Sequence, residues 1–114
     1  MKNPISEQTM DLTAVFSDII DRVPAELKPW PANPRTHSDK QMVKLKASIQ
    51  KFGFTAPVLT DEKGMILSGH GRVQAASELG LTSIPTRVIY GLSEIKKRAY
   101  VIADNKLSQL SGWN

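Results

Sequence analysis

The chain has 114 residues, 40% of them hydrophobic and 23% charged, with a net charge of +4 and no cysteine. That size and balance describe one globular domain with a modest core, and the missing thiols exclude disulfides, thiolate catalysis and Cys-ligated zinc. No apolar run approaches the roughly 18 residues of a membrane span, and Met1 to Met10 lack the apolar stretch of a secretion signal, so a cytoplasmic protein with no membrane partner is expected. The charge is unevenly spread. Residues 1–26 carry a net −3 and the remainder +7, a body suited to nucleic acid or phosphorylated ligands, or simply to solubility.

Residues 1–26 read as a leader. Leu12, Ala14, Val15, Phe16, Ile19 and Ile20 have approximate helical spacing and Pro24 ends the pattern, which predicts either a short helix or a disordered lead-in. The domain proper is expected over residues 27–114. Pro29, Pro31 and Pro34 force an extended segment that Leu27 and Trp30 can pin to a core as an edge strand. Asn33-Pro34-Arg35-Thr36-His37 then makes a polar turn before a helix. Ser38 and Gln41 form a capping-box pattern, and Met42, Leu45, Ile49 and Phe52 supply one apolar face. Gly53 is placed as its left-handed C-terminal cap.

Phe54 to Thr60 predicts a strand whose Pro57 confines it to an edge or to its first paired residue. Asp61 to Gly64 is a turn into a second strand from Met65. That strand runs into Ser68-Gly69-His70-Gly71-Arg72, followed by an Ala-rich helix that Gly80 closes. Ser83 to Tyr90 is a further strand. Ser93 caps a last helix on which Ile95, Ala99, Ile102 and Ala103 share the expected inner face, with Lys96, Lys97 and Arg98 outside it. Asp104-Asn105 reads as a helix break, or as a pair that orients a ligand or metal. The chain closes on Trp113-Asn114 without a polar tail, as a fragment of a longer protein or a docked final helix would. Together the elements predict a small α+β (mixed α/β) domain, a short mixed sheet carrying about three helices.

Three places carry chemistry. At Gly69 to Arg72, two glycines admit a close backbone approach, a helix N-terminus offers N–H groups and Arg72 offers a fork of donors, which together suit a phosphate; the plain alternative is a Gly-rich connection with a surface arginine. The Asn33 to His37 turn could hold a second phosphate or a ribose, or merely satisfy backbone groups. Lys96, Lys97 and Arg98 could meet a nucleic-acid backbone or form a solvated face. His37 and His70 are the candidate acid–base residues at neutral pH, and no metal site is expected from two histidines so far apart.

The order of these pieces resembles the ParB N-terminal domain superfamily, also called ParB/sulfiredoxin, and within it the phage and prophage branch often fused ahead of DNA methyltransferases. The resemblance runs from Leu27 to about Asn114. It rests on Asn33-Pro34-Arg35-Thr36-His37, Ser48-Ile49 with Gly53, Pro57-Val58-Leu59, Ile66 to Arg72, Ala75-Ala76, Leu79-Gly80, Ile84-Pro85, Ala103 to Leu107 and Gly112-Trp113. It implies a nucleoside triphosphate, CTP or ATP with Mg2+, as cofactor. It also implies DNA and an attached or partner DNA-modifying domain as partners. Asn33, Arg35, Gly69, His70, Gly71 and Arg72 would face the phosphates, and Thr55, Ala56 and Pro57 the base or sugar. His70-Gly71 stands where the family has Glu-Arg, so one carboxylate and one arginine are absent. Without cysteine, the sulfiredoxin reaction is excluded. The function implied is a nucleotide-binding, DNA-associated module; the alternatives are an NTP hydrolase, kinase or nuclease on the same fold, or a ligand-free domain that targets a methyltransferase.

Overall fold

In the computed structural model, residues 15–31 and 38–110 are described. Five strands and three helices follow one another as β1 (Val15–Phe16), β2 (Ile20–Arg22), α1 (Asp39–Phe52), β3 (Val58–Thr60), β4 (Ile66–Ser68), α2 (His70–Glu78), β5 (Ile84–Tyr90) and α3 (Glu94–Leu110). β5 and β3 run parallel at the centre of the sheet. β4 closes one side as an antiparallel hairpin with β3, and β1 and β2 line the far edge of β5. This is the expected α+β domain. No helix among the described residues is long and apolar enough to cross a membrane.

Alternation along the strands divides the core between the two faces of the sheet. Leu27, Val58, Ile66 and Ile84 meet Val73 and Ala76 of α2 on one face, and Met42 and Ile49 of α1 stack on Ala75 as a further layer. On the opposite face Leu67 and Ile89 meet Val101 of α3, with Trp30, Leu59 and Leu92 around them. Ser38 caps α1 in a reciprocal box with Gln41, as its sequence predicts. The proline-rich segment is pinned as expected. Leu27 is buried, and Lys28 bridges to Met65 beside β4.

Four expectations are corrected. The apolar cluster of the leader is not helical from Val15 to Arg22; it pairs with β5, whose outer edge would otherwise leave backbone groups unbonded. Leu12 and Ala14 lie outside the described residues. Gly53 has φ 75° but ψ −164°, a positive-φ cap outside the left-handed helical region, which still returns its N–H to Ile49. Phe52 is 66% exposed, with the Lys51 ammonium 5.3 Å from its ring.

The fourth correction concerns α3. Ile95 is 82% exposed, whereas Lys97, Val101 and Asn105 form the buried stripe, and the helix runs unbroken through Asp104-Asn105. A lysine can take the inner face here because three carboxylates meet it there. Its Nζ lies 3.0 Å from Asp61, 2.8 Å from Glu62 and 3.0 Å from Glu94. Burial opposes charge on Lys97, but the bonds it donates to Glu62, Asp61 and Glu94 outweigh it and hold the ammonium well above its ordinary range. Burial likewise opposes charge on Asp61. The Met65 N–H, Lys97 and the Lys63 N–H overcome that penalty and hold its carboxyl below the usual range.

Asp61 stability is therefore present above the ordinary carboxylate pKa and is lost as pH falls through the folded-state value. Thermal melts from pH 7 to pH 3 should show the wild type losing stability below about pH 4, with a visibly shallower loss for Asp61→Asn. Equal slopes would contradict the assignment. Lys97→Met, which leaves Asp61 buried without its cation, should cost about 3 kcal/mol in urea unfolding.

Candidate functional site

The site forms where β4 runs into α2. Ser68 ends the strand, and Gly69 turns the chain at φ +104°, a region that side-chain-bearing residues rarely occupy. From there α2 begins at once. Gly71 and Arg72 lie in its first turn, where N–H groups have no acceptor within the helix and the dipole is positive. A hollow of about 290 Å³ opens at this helix end. Its walls are Gln41, Leu45, Ser48 and Ile49 of α1, the Gly53 to Ala56 loop, the Ser68 to Arg72 turn, and Asp104 with Asn105 of α3.

Arg72 ties this hollow together. Its Nη1 donates to the carbonyls of Ala56 and, at 3.4 Å, Pro57, so the guanidinium clamps the loop before β3 onto the start of α2. The space it uses exists because residue 69 has no side chain. A Cβ there would sit 2.9 Å from Arg72 Nη2 and 3.2 Å from Val58 Cγ2. Burial pushes the Arg72 pKa down, and the Asp104 carboxylate opposes that shift only in part. Asp104 itself accepts a hydrogen bond from the Ser68 hydroxyl at 3.1 Å. Burial, and then Asp104, raise the Tyr100 phenol, which is hydrogen-bonded to Ser68. Ser68, Tyr100, Asp104 and Arg72 thus form one polar cluster contributed by β4, α3 and α2.

His70 has a defined structural contact. Its Nε2 accepts the Trp30 backbone N–H at 3.1 Å. This bond fastens the proline-rich segment to the first turn of α2. To act as a base through Nε2, His70 would first have to release Trp30.

Of the residues singled out in the sequence, Thr55, Ala56, Gly69, His70, Gly71 and Arg72 line the same hollow, and Pro57 borders it through its carbonyl. Asn33, Arg35 and His37 lie outside the described residues. Lys97 is only 2% exposed and bound by carboxylates, so the expectation that it contacts nucleic acid is corrected. Lys96 is on the surface, and Arg98 borders a separate hollow beside Trp30 and Lys63. The sequence reading did not place Gln41 in the site, because its capping-box role accounted for it. It also took Asp104-Asn105 first as a helix break. The available signal was a polar stripe, Lys97, Asp104 and Asn105 around Val101, at spacings of a helix's inner face.

If Gly69 and Arg72 interact as described, their substitutions are not independent. Gly69→Ala should destabilise by about 1–3 kcal/mol through its positive φ and the contact with the guanidinium. In an Arg72→Ala background part of that cost should disappear, giving a coupling of at least about 0.5 kcal/mol in a urea-melt double-mutant cycle. Strict additivity would contradict the contact.

The comparisons agree with this architecture. The family model of the ParB N-terminal domain matches residues 9–106. The ParB-like nuclease domain-containing protein YnaK of Escherichia coli K12 is 49% identical over 80 residues, covering 70% of this chain and 92% of YnaK. The crystal structure of C-terminally truncated chromosome-partitioning protein ParB from Caulobacter crescentus, complexed with CTP-gamma-S, superposes with a TM-score of 0.70 at 24% identity. That match covers 78% of this chain and 53% of the ParB chain, so the present chain spans about half of that protein. Sulfiredoxin from Arabidopsis thaliana shares the fold with a TM-score of 0.61 at 19% identity, over 75% of this chain and 98% of its own. By sequence and by fold, the chain belongs to the ParB N-terminal domain family.

Proposed function

We propose that the hollow at the start of α2 binds a nucleoside triphosphate, CTP or ATP, and that the chain is a cytoplasmic, DNA-associated nucleotide-binding module that serves an attached or partner DNA-modifying domain. The observation that carries this reading is the convergence of the Gly69-Gly71 backbone, the α2 N-terminus and the Arg72 guanidinium on one 290 Å³ hollow. The ParB structure solved with CTP-gamma-S supports it. The first-turn N–H groups would take phosphate oxygens. Thr55 and Ala56 would border the base or sugar.

In this reading Mg2+ would accompany the phosphates in the same hollow. Asp104 is the carboxylate among the described lining residues and Asn105 the neighbouring amide, an oxygen-donor set of the size Mg2+ uses when phosphates supply further ligands. Bound there, the ion would neutralise phosphate charge.

YnaK's name favours one second reading, a nuclease. It predicts Mg2+-dependent nicking of plasmid DNA that Asp104→Asn abolishes; intact plasmid after prolonged incubation would exclude it.

The nucleotide reading is tested by thermal unfolding with 1 mM CTP, ATP or GTP and Mg2+. At least one nucleotide should raise Tm by several degrees, because a ligand held at 100 times its Kd adds about 2.7 kcal/mol to the native state. Arg72→Ala should show no rise relative to its own baseline. Unchanged melting of the wild type with all three nucleotides would overturn the proposal.

A further inference from the structure

Helix α1 has two sides with different tasks. Its inner side supplies Met42 and Ile49 to the core and Gln41, Leu45 and Ser48 to the hollow. Its outer side carries Lys40, Lys44, Ala47 and Lys51, all exposed, at steps of four, three and four residues. At about 100° per residue these positions stay within a strip about 60° wide, and at about 1.5 Å per residue it runs for about 16 Å.

The strip is electrostatically uncompensated. Lys40 and Lys44 make no ion pair or hydrogen bond among the described residues, and Lys51 has only the face of Phe52. The remaining lysine of the helix, Lys46, lies off the strip and is paired with Glu78. Asp39, the acid of α1, sits in its first turn about 100° away from Lys40.

We propose that this lysine strip docks on the phosphate backbone of duplex DNA without reading its sequence. A polyanion with closely spaced charges is the matching partner, and duplex DNA presents one charge per about 1.7 Å of its axis. Ala47, the one strip position without a charge, is small enough to let the backbone come close to the lysines on either side. A lipid surface does not fit, because insertion needs the apolar face of the helix, and Met42, Leu45 and Ile49 are packed against Ala75, Leu79 and Phe54. Single strands gain their affinity by stacking bases on aromatic rings, and the strip itself carries none. The strip also replaces the Lys96 to Arg98 run, whose central lysine is buried. This inference rests on the DNA-associated half of the proposed function; a hollow that binds no nucleotide would leave it standing.

The test is fluorescence anisotropy of the full chain with a labelled 20-base-pair duplex of arbitrary sequence, from 50 to 200 mM salt. Three phosphate contacts predict a log–log salt slope near −2.7 and about a 40-fold loss of affinity over that range. The triple variant Lys40→Ala, Lys44→Ala, Lys51→Ala should bind at least tenfold more weakly at 50 mM salt with an unchanged Tm, while the double variant Lys96→Ala, Arg98→Ala stays near wild type. The proposal is overturned if the wild type does not bind the duplex at 50 mM salt, if the triple variant binds like wild type, or if a single strand of equal length binds more tightly than the duplex.

Discussion

The guanidinium of Arg72, seated on the Ala56 and Pro57 carbonyls against a residue with no side chain, is the contact on which the candidate site depends. It joins two segments that the backbone alone leaves separate, the loop entering β3 and the first turn of α2. The glycine at position 69 serves this contact twice. It permits the positive φ that turns strand into helix, and it vacates the volume the guanidinium occupies. An arginine held by neutral carbonyls keeps its full charge, so the clamp also places a cation beside the helix N-terminus. Structure and electrostatics at the hollow therefore have one source.

A second polar constraint completes the walls. Lys97 holds α3 against the β3–β4 turn through Asp61 and Glu62, with Glu94 of the same helix as its third carboxylate. Two turns further along the same inner stripe, Asp104 and Asn105 reach the hollow. Rotating α3 to bury Ile95 and Ile102 instead would bring more apolar surface inside, but it would expose this ion-pair cluster and withdraw Asp104 from Ser68. The observed orientation thus leaves apolar side chains in solvent while placing a carboxylate opposite Arg72. His70 adds a third tie by accepting the Trp30 N–H, which anchors the segment that leads toward the Asn33 to His37 turn.

Much of this was legible in the residues. The capping box of α1, the strand–glycine–helix order around residue 69 and the strand ending at Tyr90 follow from local stereochemistry, and local rules sufficed. The motif order also indicated the family, which the match over residues 9–106 bears out. The inner face of α3 was not legible, because apolar periodicity assigns a lysine to solvent. Only the tertiary arrangement of Asp61 and Glu62 makes Lys97 an inner residue. The pairing of Val15 to Arg22 with β5 was missed for a related reason. A short apolar cluster near helical spacing takes strand form when a sheet edge is available, and that edge lies some seventy residues away in sequence.

The central claim is that a nucleotide occupies the hollow that Arg72 organises. Amide chemical-shift mapping of the full chain by NMR tests it directly, with CTP or ATP and Mg2+ titrated into labelled protein. The account predicts that the largest shifts fall on Gly69 to Arg72, Gly53 to Ala56 and Asp104 to Asn105, with β1 and β2 unmoved. Shifts absent at saturating nucleotide, or centred on the hollow beside Trp30, Lys63 and Arg98, would contradict it.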